Sequence, residues 1–279
     1  MRCLLGLAAF LAALTPAGAA TRRDASPRDA PIRVAYDPPI LATDVAIHRE
    51  LKRRRVLEGL RTAIGGVRLP HPLTLRLSAC GGAADAWYES RSRTVTVCYA
   101  YVLDVQARAP AEPSHAGVSR RDAIVGPIAQ VFLHEVGHAL FDILDVPLLG
   151  REEDAADQFA ALVLLELPPA QARGAVEGIA HLLRSHASEE SVEEVLLADD
   201  HGLALQRLYN LLCLAYGADR RTFGDLVESG ALPQTRAGQC AAEYHQAAYS
   251  LGRLFQHHLR VGGGERTRIP RAFRWMVRP

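Results

Sequence analysis

The sequence predicts an α+β protein, mainly helical, with a small antiparallel sheet. Three observations predict it. Two alternating runs, Leu73-Thr74-Leu75-Arg76-Leu77 and Thr94-Val95-Thr96-Val97, read as strands. Much of the remaining chain spaces its apolar residues at helical intervals, as Ile47, Leu51, Leu57, Leu60 and Ile64 do. The stretch Val131 to Ala160 reads as two helices parted by Pro147 and Gly150.

In chain order, residues 1–19 combine Arg2, an apolar core from Leu4 to Leu14 and the small-residue site Ala17-Gly18-Ala19. That pattern is a secretory signal peptide, too short to span a membrane. Cys3 comes too early to be a lipoprotein acceptor, so a free exported protein is expected, periplasmic or secreted. No other apolar run looks long enough to cross a bilayer. The formal net charge of +1 falls to zero with the loss of Arg2, and both signs are mixed throughout. A balanced chain of this kind is not expected to bind nucleic acid.

Residues 20–31, polar and proline-containing, form a flexible lead-in, and residues 32–260 a single domain. Ile32 to Tyr36 is a short first strand, closed by Pro38-Pro39. One helix follows from Asp44 to Ile64, with Lys52 to Arg55 on its solvated face and Gly65-Gly66 as its stop. Four cysteines outlast the leader: Cys80, Cys98, Cys213 and Cys240. An even number in an exported chain points to disulfides, and local pairing gives Cys80–Cys98 and Cys213–Cys240. Four thiolates on a second zinc are the alternative, but the chain has no CxxC. The segment Thr94 to Tyr99 is the candidate exposed edge strand for holding an extended substrate. Arg108 to Ser119 reads as a loop, and Ser119 with Asp122 resembles a capping box. Pro127 predicts a kink or a helix start nearby.

The chemistry lies next. His134-Glu135-Val136-Gly137-His138 is an HExxH motif. Positions four apart share a helix face, so the two imidazoles stand side by side as two nitrogen ligands for a tetrahedral Zn²⁺. Glu135 lies on the adjoining flank, within reach of a metal-activated water but not of the metal, and is the expected general base. Glu153-Asp154-Ala155-Ala156-Asp157 begins fifteen residues after His138. Glu153 is the expected third ligand, and Asp157, one turn on, would orient a ligand histidine. Gly137 costs helix stability on the order of 1 kcal/mol relative to alanine, which a close-packed neighbour or an approaching substrate would explain.

This pairing of HExxH with ExxxD resembles the glutamate-zincins, or gluzincins. The form from Glu153 to Ala160, ExxADxxA, is similar to that of membrane-associated CAAX-type peptidases. The longer run HEVGHALFDILDVPLLGREEDAADQFA more closely resembles a bacterial family of metallopeptidases without assigned function. The resemblance covers about Ile32 to Leu259. It implies a zincin-like catalytic domain, of metzincin or gluzincin type, one Zn²⁺ per chain and a peptide or protein substrate.

Downstream, Pro168-Pro169 breaks the chain, and Gln171–Ser185 and Val192–Leu197 read as helices. Ala198-Asp199-Asp200-His201 precedes a helix through Tyr209 and Cys213, closed by Ala215-Tyr216-Gly217. Asp225–Glu228 and Ala241–Leu259 add helical pattern, and residues 261–279, with three glycines, read as a disordered tail. A second donor for the developing oxyanion is sought among His201, Tyr209, Tyr244, His245 and Tyr249. His201 is favoured, with Asp199 to orient it; the resembling family has a similar acidic-acidic-His segment here. His48, His71, His115, His181, His186, His257 and His258 are expected at the surface. The function expected is an exported zinc metallopeptidase. The alternatives are a silent zincin that binds zinc or a peptide, and a zinc amidase acting on a non-peptide amide.

Overall fold

A computed structural model describes residues 29–111, 117–191, 198–260 and 265–277. The leader, its cleavage site, His115 and the helix expected at Val192–Leu197 lie outside the described residues. The chain is mainly helical, with one four-stranded sheet.

Strand β1, Ile32–Tyr36, is as expected, and β2 spans Leu73–Ser78. Strand β3, Ala86–Glu89, shows no alternation of apolar with polar types, and β4 spans Thr94–Cys98. The order is β1-β2-β4-β3. The antiparallel sheet expected from sequence is therefore corrected to a mixed one. β1 pairs parallel with β2, and β2 parallel with β4. Only β3 and β4 run antiparallel, with Trp87 opposite Thr96 and Tyr88 opposite Val95. The unrecognised β3 is the physical reason: it reverses the chain, so β4 returns in the direction of β2. The same strand displaces β4 from the edge. All five β4 residues are buried, and β3 forms the edge in place of Thr94 to Tyr99.

The long helix expected over 44–64 is two helices, α1 (Ala42–Arg54) and α2 (Val56–Ile64). Arg55, at φ 57° and ψ 46°, separates them. Leu51 and Leu57 stand six apart, which an unbroken helix would turn to different faces. The break resets the phase, so Ile47, Leu51, Leu57, Leu60 and Ile64 all reach the core.

Helix α3 (Tyr99–Arg108) leads from β4 towards α4 (Arg120–Ile143). Ser119 caps α4, its hydroxyl accepting from the Asp122 amide at 3.0 Å. The helix starts at Arg120 and runs through Pro127. By length and composition α4 is apolar enough to cross a membrane, contrary to the sequence expectation, but protein buries it. It packs on α3, on β3 and β4, on α5 (Glu152–Leu165) and on α6 (Pro169–Glu189). At the α4–α6 crossing the backbones touch: a Cβ on Gly178 would stand 2.0 Å from the Asp122 carbonyl oxygen.

Helix α7 (Ala204–Ala218) packs on α5, on α6 and on α10 (Gln234–Phe255), with short helices α8 (Arg220–Phe223) and α9 (Asp225–Glu228) between. Both expected disulfides are present. Cys80–Cys98 ties the ends of the adjacent strands β2 and β4, and Cys213–Cys240 ties α7 to α10. The tail expected to be disordered instead carries α11 (Glu265–Ala272), which packs on α2. Phe273, Trp275 and Met276 behind it are buried, so three large apolar side chains outweigh the polar, glycine-containing stretch before them. The lead-in's last residues are also held: the Ala30 amide donates to the Leu69 carbonyl at 2.8 Å.

Candidate metal centre

α4 ends in a tight turn. The Val146 amide bonds back to the Phe141 carbonyl at 2.9 Å, and Asp145 takes φ 52°. Pro147 prevents continuation, Gly150 at φ 97° completes the reversal, and α5 starts after Arg151. The two helices then lie side by side. Gly137 permits this: a Cβ there would stand 3.2 Å from Ala156 Cα and 3.4 Å from Phe159 Cδ1. The close-packed neighbour invoked for this glycine is therefore α5.

This approach brings His134, His138 and Glu153 together as a group that could hold a metal ion. His134 Nε2 lies 3.2 Å from His138 Nε2 and 2.9 Å from Glu153 Oε2. His138 Nε2 lies 3.4 Å from Glu153 Oε1. Donors on a tetrahedral zinc with bonds near 2.0–2.1 Å sit roughly 3.4 Å apart, so the spacing fits. The tautomers fit as well. His134 Nδ1 donates to Asp157 Oδ1 at 2.9 Å, and His138 Nδ1 to Glu152 Oε1 at 2.8 Å. Each Nε2 is thereby left free to ligate an ion.

Asp157 is itself held. Arg207 of α7 reaches it through Nε to Oδ2 at 2.7 Å and Nη2 to Oδ1 at 2.8 Å, and Gln130 Nε2 donates to Oδ1 at 3.1 Å. His201 stands just before α7. Its Nε2 lies 2.8 Å from Glu153 Oε2, and its ring stacks near His134 with centroids 6.0 Å apart. Its Nδ1 lies between Asp199 Oδ1 at 3.2 Å and Asp200 Oδ1 at 3.1 Å, so the expected partner Asp199 shares that role. Glu153, Asp200 and His201 form a second, more exposed group of donors.

The charges reinforce one another. Burial raises Glu153, but His134, His138 and His201 outweigh it and hold that carboxyl far below its usual range. Burial also lowers His138, yet Glu153 and Glu152 push it up to about 9. His201 is pushed up to about 9, chiefly by Glu153. Glu135 is buried beside His134 and His138, and burial lifts its carboxyl above the ordinary value despite both histidines.

Tyr209, Tyr244, His245 and Tyr249 make no hydrogen bond or ion pair to this group among the described residues. Tyr249 is exposed, and Tyr244 lines an apolar cavity of about 300 Å³ with Leu140, Phe159 and Phe255. Of the histidines expected at the surface, His48, His181, His186 and His258 are partly buried: His48 packs against Tyr36 and Tyr99, and His181 donates to the Arg108 carbonyl. Sequence reasoning missed Glu152, Gln130 and Arg207. A signal for Arg207 exists, because it interrupts the apolar stripe of Ala204, Leu211 and Leu214 on α7.

Two helices that turn His, His and Glu towards one point, with a buried glutamate between the histidines, define the class of HExxH metal-site proteins. The chain belongs to the family described as "Putative metallopeptidase" (DUF4344), whose model matches residues 36–254. No curated protein and no solved structure matches it. Family and site together make a metal-dependent peptidase the class of activity to test.

Proposed function

We propose that the chain is an exported, zinc-dependent metallopeptidase with a zincin-like domain. The observation that carries this is the pairing of the two histidines: each Nδ1 is bound to a carboxylate, so each Nε2 faces Glu153 as a ready ligand. His134, His138 and Glu153 would hold the ion, and Asp157 would orient His134. Zinc held there supplies Lewis acidity and brings the pKa of a bound water towards neutral. Glu135 takes the proton of the attacking water and delivers it to the leaving nitrogen. His201, oriented by Asp199 and Asp200, donates to the carbonyl oxygen as negative charge develops.

The substrate backbone lies along β3, the free edge beside α4, instead of along the buried β4. Tyr88 of β3 supports this placement: its hydroxyl donates to Asp142 of α4 at 2.6 Å, fixing that edge against the metal helix. Export is supported by the leader pattern and by two disulfides, which persist in oxidising compartments.

The test is to incubate the zinc-loaded chain with an unbiased peptide library and read the products by mass spectrometry, with Glu135→Gln as control. Cleavage by the parent alone supports the proposal. Equal cleavage by the variant sinks the mechanism. A chain that holds one zinc and cleaves nothing shifts the weight to a binding role or a non-peptide amide.

A further inference from the structure

We infer that Arg207 is a positioning residue for the metal: its fork on Asp157 sets the aim of the His134 imidazole. The inference rests on the zinc reading above and concerns a residue remote from the HExxH and ExxAD motifs.

Glu153 and Asp157 stand one helical turn apart, and His134 spans them, with Nε2 towards Glu153 and Nδ1 on Asp157. The chain entering α7 matches this ladder rung for rung: His201, just before the helix, meets Glu153, and Arg207, in its first turn, meets Asp157. Asp157 Oδ1 thus accepts from His134 Nδ1, Arg207 Nη2 and Gln130 Nε2, while Oδ2 accepts from Arg207 Nε.

A carboxylate with one partner can swivel about its terminal torsion. Two parallel N–H···O bonds from a planar guanidinium fix its plane. With that plane fixed, Oδ1 has one position, and His134 has one ring orientation in which Nδ1–H reaches it. Nε2 then points at the ion site before any ion arrives. Lysine carries the same charge but has no fork, so it cannot impose this plane. Arg207 also occupies an apolar stripe between Ala204 and Leu211, where a charge without a close partner is costly. Its side chain keeps 24% of its exposure, and that of Asp157 keeps 25%. The pair is therefore shielded enough for geometry to matter, yet open enough for substitution.

A purely structural tie between α5 and α7 would affect stability alone, so the test reads the metal directly. Zinc affinity of the parent, Arg207→Lys and Arg207→Met is measured by competition with a chelator. The Co²⁺-substituted proteins are compared by visible absorption, and the melting temperature of each is taken in chelator. The expected result is a loss of zinc affinity of about 10- to 100-fold in Arg207→Met. Arg207→Lys should also lose affinity, with an altered cobalt band and a melting temperature near the parent's. If Arg207→Met does not fold, Arg207→Lys decides. Parent affinity together with a parent cobalt spectrum in the lysine variant overturns the inference but leaves the metallopeptidase reading standing. A parent chain that takes up no zinc overturns both.

Discussion

His138 Nδ1 donates to Glu152 Oε1 at 2.8 Å, and the next residue, Glu153, faces the same imidazole's Nε2 at 3.4 Å. One ring is thus held from both sides by consecutive glutamates, as His134 is held by Asp157 and Glu153. The two orienting carboxylates differ in setting. Glu152 keeps about half its side-chain exposure (53%), whereas Asp157 is enclosed by Arg207 and Gln130. Water can replace the first more easily than the second. Glu152→Ala should therefore weaken zinc binding about 10-fold, and Asp157→Asn should approach 100-fold. Chelator competition checks the order, and an equal or larger loss in Glu152→Ala would contradict it.

Glu135 makes no contribution to the metal group's donor set, so its loss should separate binding from turnover. Glu135→Gln should keep parent zinc stoichiometry and lose roughly 10²- to 10⁴-fold in kcat. Zinc content and a single-turnover assay on any substrate found in the library check this.

In chelator, stability should depend on pH with a definite sign. The histidines His134, His138 and His201 are raised above their ordinary value of 6.5, the last two to about 9. Their contribution is complete below pH 6.5 and is lost as pH rises, through about 9 for His138 and His201. Glu153 and Asp157 are lowered from 4.5 and 3.8, so their contribution is present above those values and is lost towards acid. The chelated protein should melt highest between about pH 4.5 and 6.5 and lower at pH 9. Added zinc should reverse the alkaline trend, because ligands shed protons on binding. A chelated protein that melts higher at pH 9 than at 6.5 would refute this account.

Gly178→Ala should destabilise the fold by about 1–3 kcal/mol, because the new methyl meets the Asp122 carbonyl at 2.0 Å. Gly238→Ala on α10 meets nothing within 4 Å and should be neutral or stabilising by up to about 1 kcal/mol. Thermal melts of the two variants form the comparison, and similar values for both would count against the α4–α6 contact.

The Cys80–Cys98 bridge closes a loop with a sequence separation of 18 residues, and Cys213–Cys240 one of 27. Replacing either pair with serine should cost about 3 kcal/mol, read from denaturant unfolding without reductant.

The metal group was legible because its determinants are local. The four-residue step from His134 to His138 makes just over one helical turn whatever the helix packs against. Pro147 and Gly150 likewise stop and turn the chain for reasons confined to their own backbones. Cysteine pairing followed from short separations. Strand direction was not legible, because β3 has four residues, Ala86-Trp87-Tyr88-Glu89, whose types do not alternate apolar with polar although their burial does. Without it, β2 and β4 read as strands of an antiparallel sheet when they run parallel. Arg55 was missed because the six-residue step from Leu51 to Leu57 looks like helical spacing until the phase is counted.

By itself, then, the sequence determined the types and spacing of His134, His138 and Glu153, the turn between their helices, the cysteine pairs and the mainly helical class. Each is a property of a few neighbouring residues. Only the tertiary structure decided that β4 is central, that residues 265–277 pack on α2, that Arg207 meets Asp157 and that Glu152 meets His138. Those outcomes depend on which distant surfaces meet, and Asp157 and Arg207, fifty residues apart, share a hydrogen bond only because α7 is laid across α5.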